Sequence, residues 1–128
     1  MKLKLIITVA LFYIITNSII SCKKSNSTNT DYLANAVCSG TTPTYTSDVA
    51  SILNSNCATS GCHNSSSKAA GINLSDYINA KNEFLNNSKN IIAIHHGSGA
   101  DAMPKNSSKL NDATINKLDC WTKNSCPE

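Results

Sequence analysis

Six cysteines stand in a chain of 128 residues that offers only seven aromatic side chains, and this ratio limits what the chain can fold into. Two of the aromatics, Phe12 and Tyr13, lie in an apolar N-terminal run, so Tyr32, Tyr45, Tyr77, Phe84 and Trp121 are left to build a core. Chains of this size bury a small share of their surface and usually need disulfides, a metal or a cofactor to hold together. Ser, Thr and Asn supply 46 residues, which predicts long polar loops. With no arginine, eleven lysines and eight acids, the formal charge of +3 is too weak and too scattered to recruit nucleic acid. One small domain fits these numbers, and a cytosolic enzyme with a large pocket does not.

The N-terminus reads as an address. Met1-Lys2-Leu3-Lys4 is a short basic start before an apolar run from Leu5 to Ile15. That run is shorter than the ~20 residues a bilayer-spanning helix needs, and its pattern fits a secretory signal. Ile19-Ile20-Ser21-Cys22 resembles the lipobox of bacterial lipoproteins. The resemblance implies cleavage after residue 21, a thioether-linked lipid on Cys22 and an acylated amine; two or more fatty chains anchor a protein stably. The expected location is therefore outside the cytoplasm, lipid-anchored to a bacterial membrane and facing the periplasm or the cell surface. The stretch from Lys23 to about Ala36 has almost no apolar content, and residues 22–37 are expected to be a flexible tether. The folded domain is expected over 38–128.

Three short helices joined by polar loops are expected within it. Tyr45, Val49, Ile52 and Leu53 recur at helical spacing around a capping stretch Thr46-Ser47-Asp48, and this helix should end at Cys57. A second helix should start at Ser75-Asp76, carry Tyr77, Ile78, Phe84 and Leu85, and end near Asn87. The third has Asn111 as cap, Asp112 in the first turn and Leu110 and Ile115 at staple spacing, with Ile115, Leu118, Trp121 and Thr122 inward. Strand signals are weak; Ile91-Ile92-Ala93-Ile94 is the one stretch that reads as extended. Helices so rich in Asn have poor intrinsic propensity and must be held by packing.

If Cys22 carries lipid, five cysteines remain and cannot all pair within one chain. Cys57-Ala58-Thr59-Ser60-Gly61-Cys62-His63 stands out among them. Cys-x-x-Cys-His marks c-type haem attachment, with two thioethers to the vinyl positions and the next histidine as an axial ligand. Here the cysteines are separated by four residues, and a small Cys57–Cys62 disulfide loop with an incidental His63 is the competing reading. A c-type haem needs a second strong ligand, for which a thioether is one usual choice. The mature chain has a single methionine, Met103, forty residues after His63. It sits in Gly97-Ser98-Gly99-Ala100-Asp101-Ala102-Met103-Pro104-Lys105, a Gly-rich loop suited to presenting one side chain to a flat ring.

Taken together, these stretches resemble a small class I cytochrome c domain, and more narrowly the bacterial lipoprotein cytochromes that carry Cys-x4-Cys-His. The matching residues are Tyr45 to Leu53, Asn56 to Asn64, Gly71 to Tyr77, Ala102 to Lys105, Lys109-Leu110 and Cys120-Trp121, over about ninety residues in the family's order. The resemblance implies an all-α cytochrome c-like fold wrapped around one covalent haem c. Cys57 and Cys62 would be its thioether ligands, with His63 and Met103 axial to the iron. It also implies that the first and last helices pack together beside the haem. Trp121 would be a core residue near the haem, its indole N–H on a haem propionate.

Three further points follow from that resemblance. Cys38 would pair with Cys120, because Cys120-Trp121 is a recurring element of the family, with Cys126 as the alternative partner. His96 is the runner-up distal ligand; the simpler reading has His95 and His96 lining the Gly-rich loop, one bonded to backbone or propionate and the other exposed. A copper site from His95, His96 and Met103 is a more distant alternative. The function implied is electron transfer by a monomeric, membrane-tethered carrier that is not an enzyme and meets other redox proteins in transient contacts. A disulfide-stapled interaction lipoprotein and a haem sensor or peroxidase-like protein with a displaceable Met103 are the alternatives.

Overall fold

Residues 28–128 are described by the computed structural model, so the expected signal sequence, the expected lipobox with Cys22 and the first part of the expected tether lie outside the described residues. Among the described residues the regular elements are all helical, as expected for an all-α chain. They run in order as α1 (Asn29–Asn35), a π-helical turn (Tyr45–Val49) that continues into α2 (Ala50–Asn56), a 3-10 turn (Ala69–Gly71), α3 (Tyr77–Asn86), α4 (Lys89–Ile94) and α5 (Asp112–Lys123). None of these helices is long and apolar enough to cross a membrane.

The helix starts follow local side-chain chemistry. Asn111 accepts from the Thr114 N–H at 2.8 Å, and Asp76 accepts from the Asn79 N–H at 3.0 Å, as the capping positions predict. The first expected helix begins earlier than its sequence suggests. Thr44 is the cap, accepting from the Ser47 N–H at 3.2 Å, while Asp48 reaches back to the Thr44 N–H at 3.2 Å. This is a capping box with its acid one residue late, which the wider π-helical turn accommodates.

Two segments depart from expectation. Ile91–Ile94 is helical, not extended: Ile91 and Ile94 lie three residues apart on one face and are both buried, so packing overrides their β preference. Within the expected tether, Asn29–Asn35 form α1, started by a reciprocal capping box between Thr28 and Asp31. Tyr32 and Leu33 pack against the core, and the Tyr32 ring stacks on His95 with centroids 4.0 Å apart. The Asn116 side chain then accepts from the Val37 N–H at 2.9 Å and donates to the Val37 carbonyl at 2.8 Å, fastening the end of this segment to α5.

The interior is built around Trp121, which is fully buried with Val49, Leu53, Ile91 and Leu118. Phe84 meets the indole edge-on at 5.5 Å, and Tyr45 lies tilted at 6.2 Å, so α3 and the first turn of the α2 segment both close on α5. Lys117 on α5 adds a 2.8 Å bond to Asp48 across the same junction. The first and last of the expected helices therefore pack together. Trp121 Nε1–H donates to the Pro127 carbonyl at 2.8 Å, which corrects the expected haem propionate partner. Ser125 and Cys126 take left-handed backbone conformations (φ 65° and 53°) that fold the tail back, and the same Pro127 carbonyl also accepts from the Tyr45 N–H at 2.9 Å. Cys38 and Cys120 form a disulfide with Cα atoms 5.5 Å apart, while Cys126 is a buried free thiol.

The caps and cross-links set a pH dependence. Hydrogen bonds from Lys117 and from the Thr44 N–H hold the Asp48 carboxyl below the usual carboxylate range, and the Asn79 backbone and side chain do the same for Asp76. A carboxyl depressed in the folded state stabilises above its unfolded pKa, and that stabilisation is lost as pH falls through the folded one. Burial pushes Asp119 the other way, so its share grows on acidification. Hydrogen bonds from Thr28 and from Lys109 lower Asp31 and Asp112 as well, so four depressed groups against one raised predict a net loss of thermal stability below about pH 4. Melting curves at pH 6 and pH 3 test this: the midpoint falls in acid, and Asp48→Asn makes the fall smaller. Superimposable curves at the two pH values would refute it.

Candidate functional site

Cys57 ends α2, its N–H still bonded to the Leu53 carbonyl at 2.8 Å, so the stretch from Cys57 to His63 leaves a helix whose Leu53 is locked in the core. The chain then turns tightly. The Cys62 N–H donates to the Thr59 carbonyl and the His63 N–H to the Cys57 carbonyl, both at 3.0 Å, while Gly61 takes a left-handed φ of 78°. These bonds gather Cys57, Cys62 and His63 in one loop. Cys57 is half-buried against the core and Cys62 is exposed; both thiols are free. Burial, with the neighbouring Cys62 adding to it, pushes the Cys57 thiol up to about 11. It is thus a neutral S–H at ordinary pH.

His63 is oriented by a turn that sequence reading did not single out. The Ala69 N–H donates to the Cys62 carbonyl at 3.0 Å, and the Ala69 carbonyl accepts from His63 Nδ1 at 3.1 Å. On either side, Lys68 and Ala70 hold left-handed conformations (φ 43° and 54°), followed by Gly71 at 78°. Such backbone is costly for residues with a Cβ and persists where the surroundings impose it. Its effect here is to aim one carbonyl at one imidazole nitrogen. A carbonyl can only accept, so in the neutral ring Nδ1 carries the proton and Nε2 keeps its lone pair. The His63 carbonyl then receives the Leu74 N–H at 2.8 Å, tying the loop to a buried leucine.

Met103 lies in the loop between α4 and α5, and its backbone is held at both ends. Its N–H donates to the Ala93 carbonyl at 3.0 Å, and its carbonyl accepts from His96 Nε2 at 3.1 Å. The side chain is half-buried. His95, one residue earlier, turns to the other side: its Nε2 shares a 2.9 Å hydrogen bond with Asp119 Oδ2 on α5, beneath the Tyr32 ring. Asp119 is buried, and its Oδ1 has no partner among the described residues. The simpler reading of this histidine pair is met by His96, which bonds backbone, and corrected for His95, which is engaged and not exposed. Binding a metal through the Nε2 atoms of His95 and His96 would break both bonds.

The site thus has two parts. Cys57, Cys62 and His63 share one loop, Met103 and His96 share another, and neither Met103 nor His96 is hydrogen-bonded to the first three. Both parts hang from elements of the same core, through Leu53 and Leu74 on one side and Ile91 and Ile94 on the other. Among the described residues no three His, Cys, Asp or Glu side chains are gathered as a metal cage. Comparison with protein-family models, curated proteins and solved structures finds no match.

Proposed function

We propose that this chain is a monohaem c-type cytochrome that carries electrons, tethered to a membrane through lipid on Cys22. Cys57 and Cys62 would hold haem c by thioethers, and His63 and Met103 would supply the axial nitrogen and sulfur. The observation that carries the reading is the His63 ring: Nδ1–H is spent on the Ala69 carbonyl, so the nitrogen left free is Nε2, directly after two unpaired thiols. A hydrogen bond of this kind on the far nitrogen orients a ligating histidine and makes it a better donor. The donor set also fits chemically, since thioether and imidazole are both established axial ligands of haem iron.

When bound, the haem supplies a one-electron couple. With His63 and Met103 both holding the haem, this chain's residues would leave no place for a substrate at the iron, which favours a carrier over an enzyme. Small transient contacts with other redox proteins suit that role. The test is spectroscopic. The mature chain is produced with haem-attachment machinery, denatured for a pyridine haemochrome, and its native ferric form is scanned for the weak far-red charge-transfer band of Met-to-iron bonding. A c-type haemochrome together with that band is the expected result. A colourless protein would overturn the reading in favour of an interaction lipoprotein, and haem without the band would favour a sensor with an open or displaced distal position.

A further inference from the structure

We infer that His96 is a positioning residue for Met103: its ring holds the backbone from which the thioether projects, and so sets how firmly the distal sulfur stays bound. The inference rests on the haem reading above, but its structural half stands without it. At the end of α4 the chain leaves the helix through His96, which takes a left-handed φ of 55°. The His96 N–H bonds the Ala93 carbonyl at 3.0 Å and the Gly97 N–H bonds the Ile92 carbonyl at 2.9 Å, which caps the helix. Glycine or asparagine normally fills such a position, and histidine there bears a conformational cost. The side chain accounts for its presence: the left-handed backbone turns the imidazole back across the loop, where Nε2–H donates to the Met103 carbonyl at 3.1 Å.

Met103 is thereby fastened to α4 twice. The Ala93 carbonyl takes its N–H and the His96 ring takes its carbonyl, so the six residues 97–102 form a closed loop whose far end returns to its own stem. The stem in turn is anchored. Ile91 and Ile94 are buried, and His95 is clasped between Tyr32 of α1 and Asp119 of α5. A thioether is a neutral ligand with no second bond to steady it, so the rigidity of its attachment governs how often it leaves. Without the ring bond, one of the two fastenings is gone and the unbound population of the sulfur should rise roughly threefold to tenfold, the range that one ordinary hydrogen bond supports.

The experiment uses the full holoprotein in three forms: unaltered, His96→Gly and His96→Gln. Glycine keeps the left-handed backbone free of strain while deleting the ring, and glutamine returns a donor at similar reach. All three should give the same yield of c-type haemochrome. His96→Gly should lose far-red band intensity and bind carbon monoxide in the ferrous state several-fold more readily, with His96→Gln recovering most of the difference. Amide exchange of Met103 should be faster in His96→Gly, with Trp121 unchanged. That readout reports the Met103 backbone and not the iron, so it separates this inference from the haem reading. If the far-red band, carbon monoxide binding and Met103 exchange in His96→Gly all match the unaltered protein, the inference is wrong and His96 only caps α4. If His96→Gly abolishes a low-spin spectrum that Met103→Ala leaves intact, it is also wrong, because His96 is then the ligand itself.

Discussion

On the proposed haem reading, replacing both Cys57 and Cys62 with Ser should leave a protein with no covalently bound haem, while His63→Gly should keep the thioethers but not the proximal bond. The expectation follows from the division of labour in the loop. Two free sulfurs, one half-buried and one exposed, stand ahead of an imidazole whose tautomer is dictated by the Ala69 carbonyl. On that reading covalent attachment would depend on the sulfurs and survive denaturation, while ligation by His63 would depend on Nε2 and would not. In the double variant, any pigment carried through purification should therefore extract into acidified organic solvent, and none should stay with the polypeptide on a denaturing gel. In His63→Gly the pigment stays with the polypeptide, the low-spin spectrum is lost, and added imidazole restores it. Covalent pigment persisting in the double variant would sink the assignment of both cysteines.

The second large effect concerns the Cys38–Cys120 disulfide. It joins residues 82 apart in sequence, linking the segment after α1 to the buried face of α5. On the chain-entropy account, closing a loop of that length restricts the unfolded state by about 4 kcal/mol. Chains of about this size gain or lose roughly 4–8 °C of melting temperature per kcal/mol, so Cys38→Ser/Cys120→Ser should melt some 15–30 °C lower. Cys120 is itself buried, which places any misfit of the replacement inside the core and adds to the loss. Differential scanning calorimetry of the two proteins measures the effect, and peptide mapping without reductant checks the pairing. A midpoint lowered by only a few degrees would contradict the entropic account, and a Cys38–Cys126 peptide would contradict the pairing. Cys126, buried with its carbonyl bonded to the Tyr77 hydroxyl at 3.0 Å, is expected to stay a thiol in the unaltered protein.

The features legible from sequence are those decided within a few residues. Asn111 and Asp76 start α5 and α3 because a side-chain oxygen reaches an N–H three positions on, whatever the rest of the chain does. Ile115, Leu118, Trp121 and Thr122 could be assigned to the interior because helical period alone puts them on one face. Asp119 lies on that same buried side, which the chain alone does not reveal, since an acid at such a position reads as solvent-facing until its histidine partner is known. The candidate ligands Cys57, Cys62, His63 and Met103 were equally legible, as residue types at characteristic spacing.

What spacing cannot reveal is which backbone atom each candidate ligand leans on. α1 is helical because Tyr32 and Leu33 find α4 and α5, and α4 is helical because its isoleucines find the core; both outcomes are long-range. The carbonyl that fixes the His63 tautomer comes from a turn forced into left-handed backbone, and the carbonyl of Met103 is reached only because His96 accepts the same strain. Composition and local pattern determined the helical class, the caps and the set of candidate ligands, because those rest on short-range chemistry. The orientation of the candidate ligands was decided by tertiary structure alone, because it depends on hydrogen bonds across turns whose shape exists only once the core has formed.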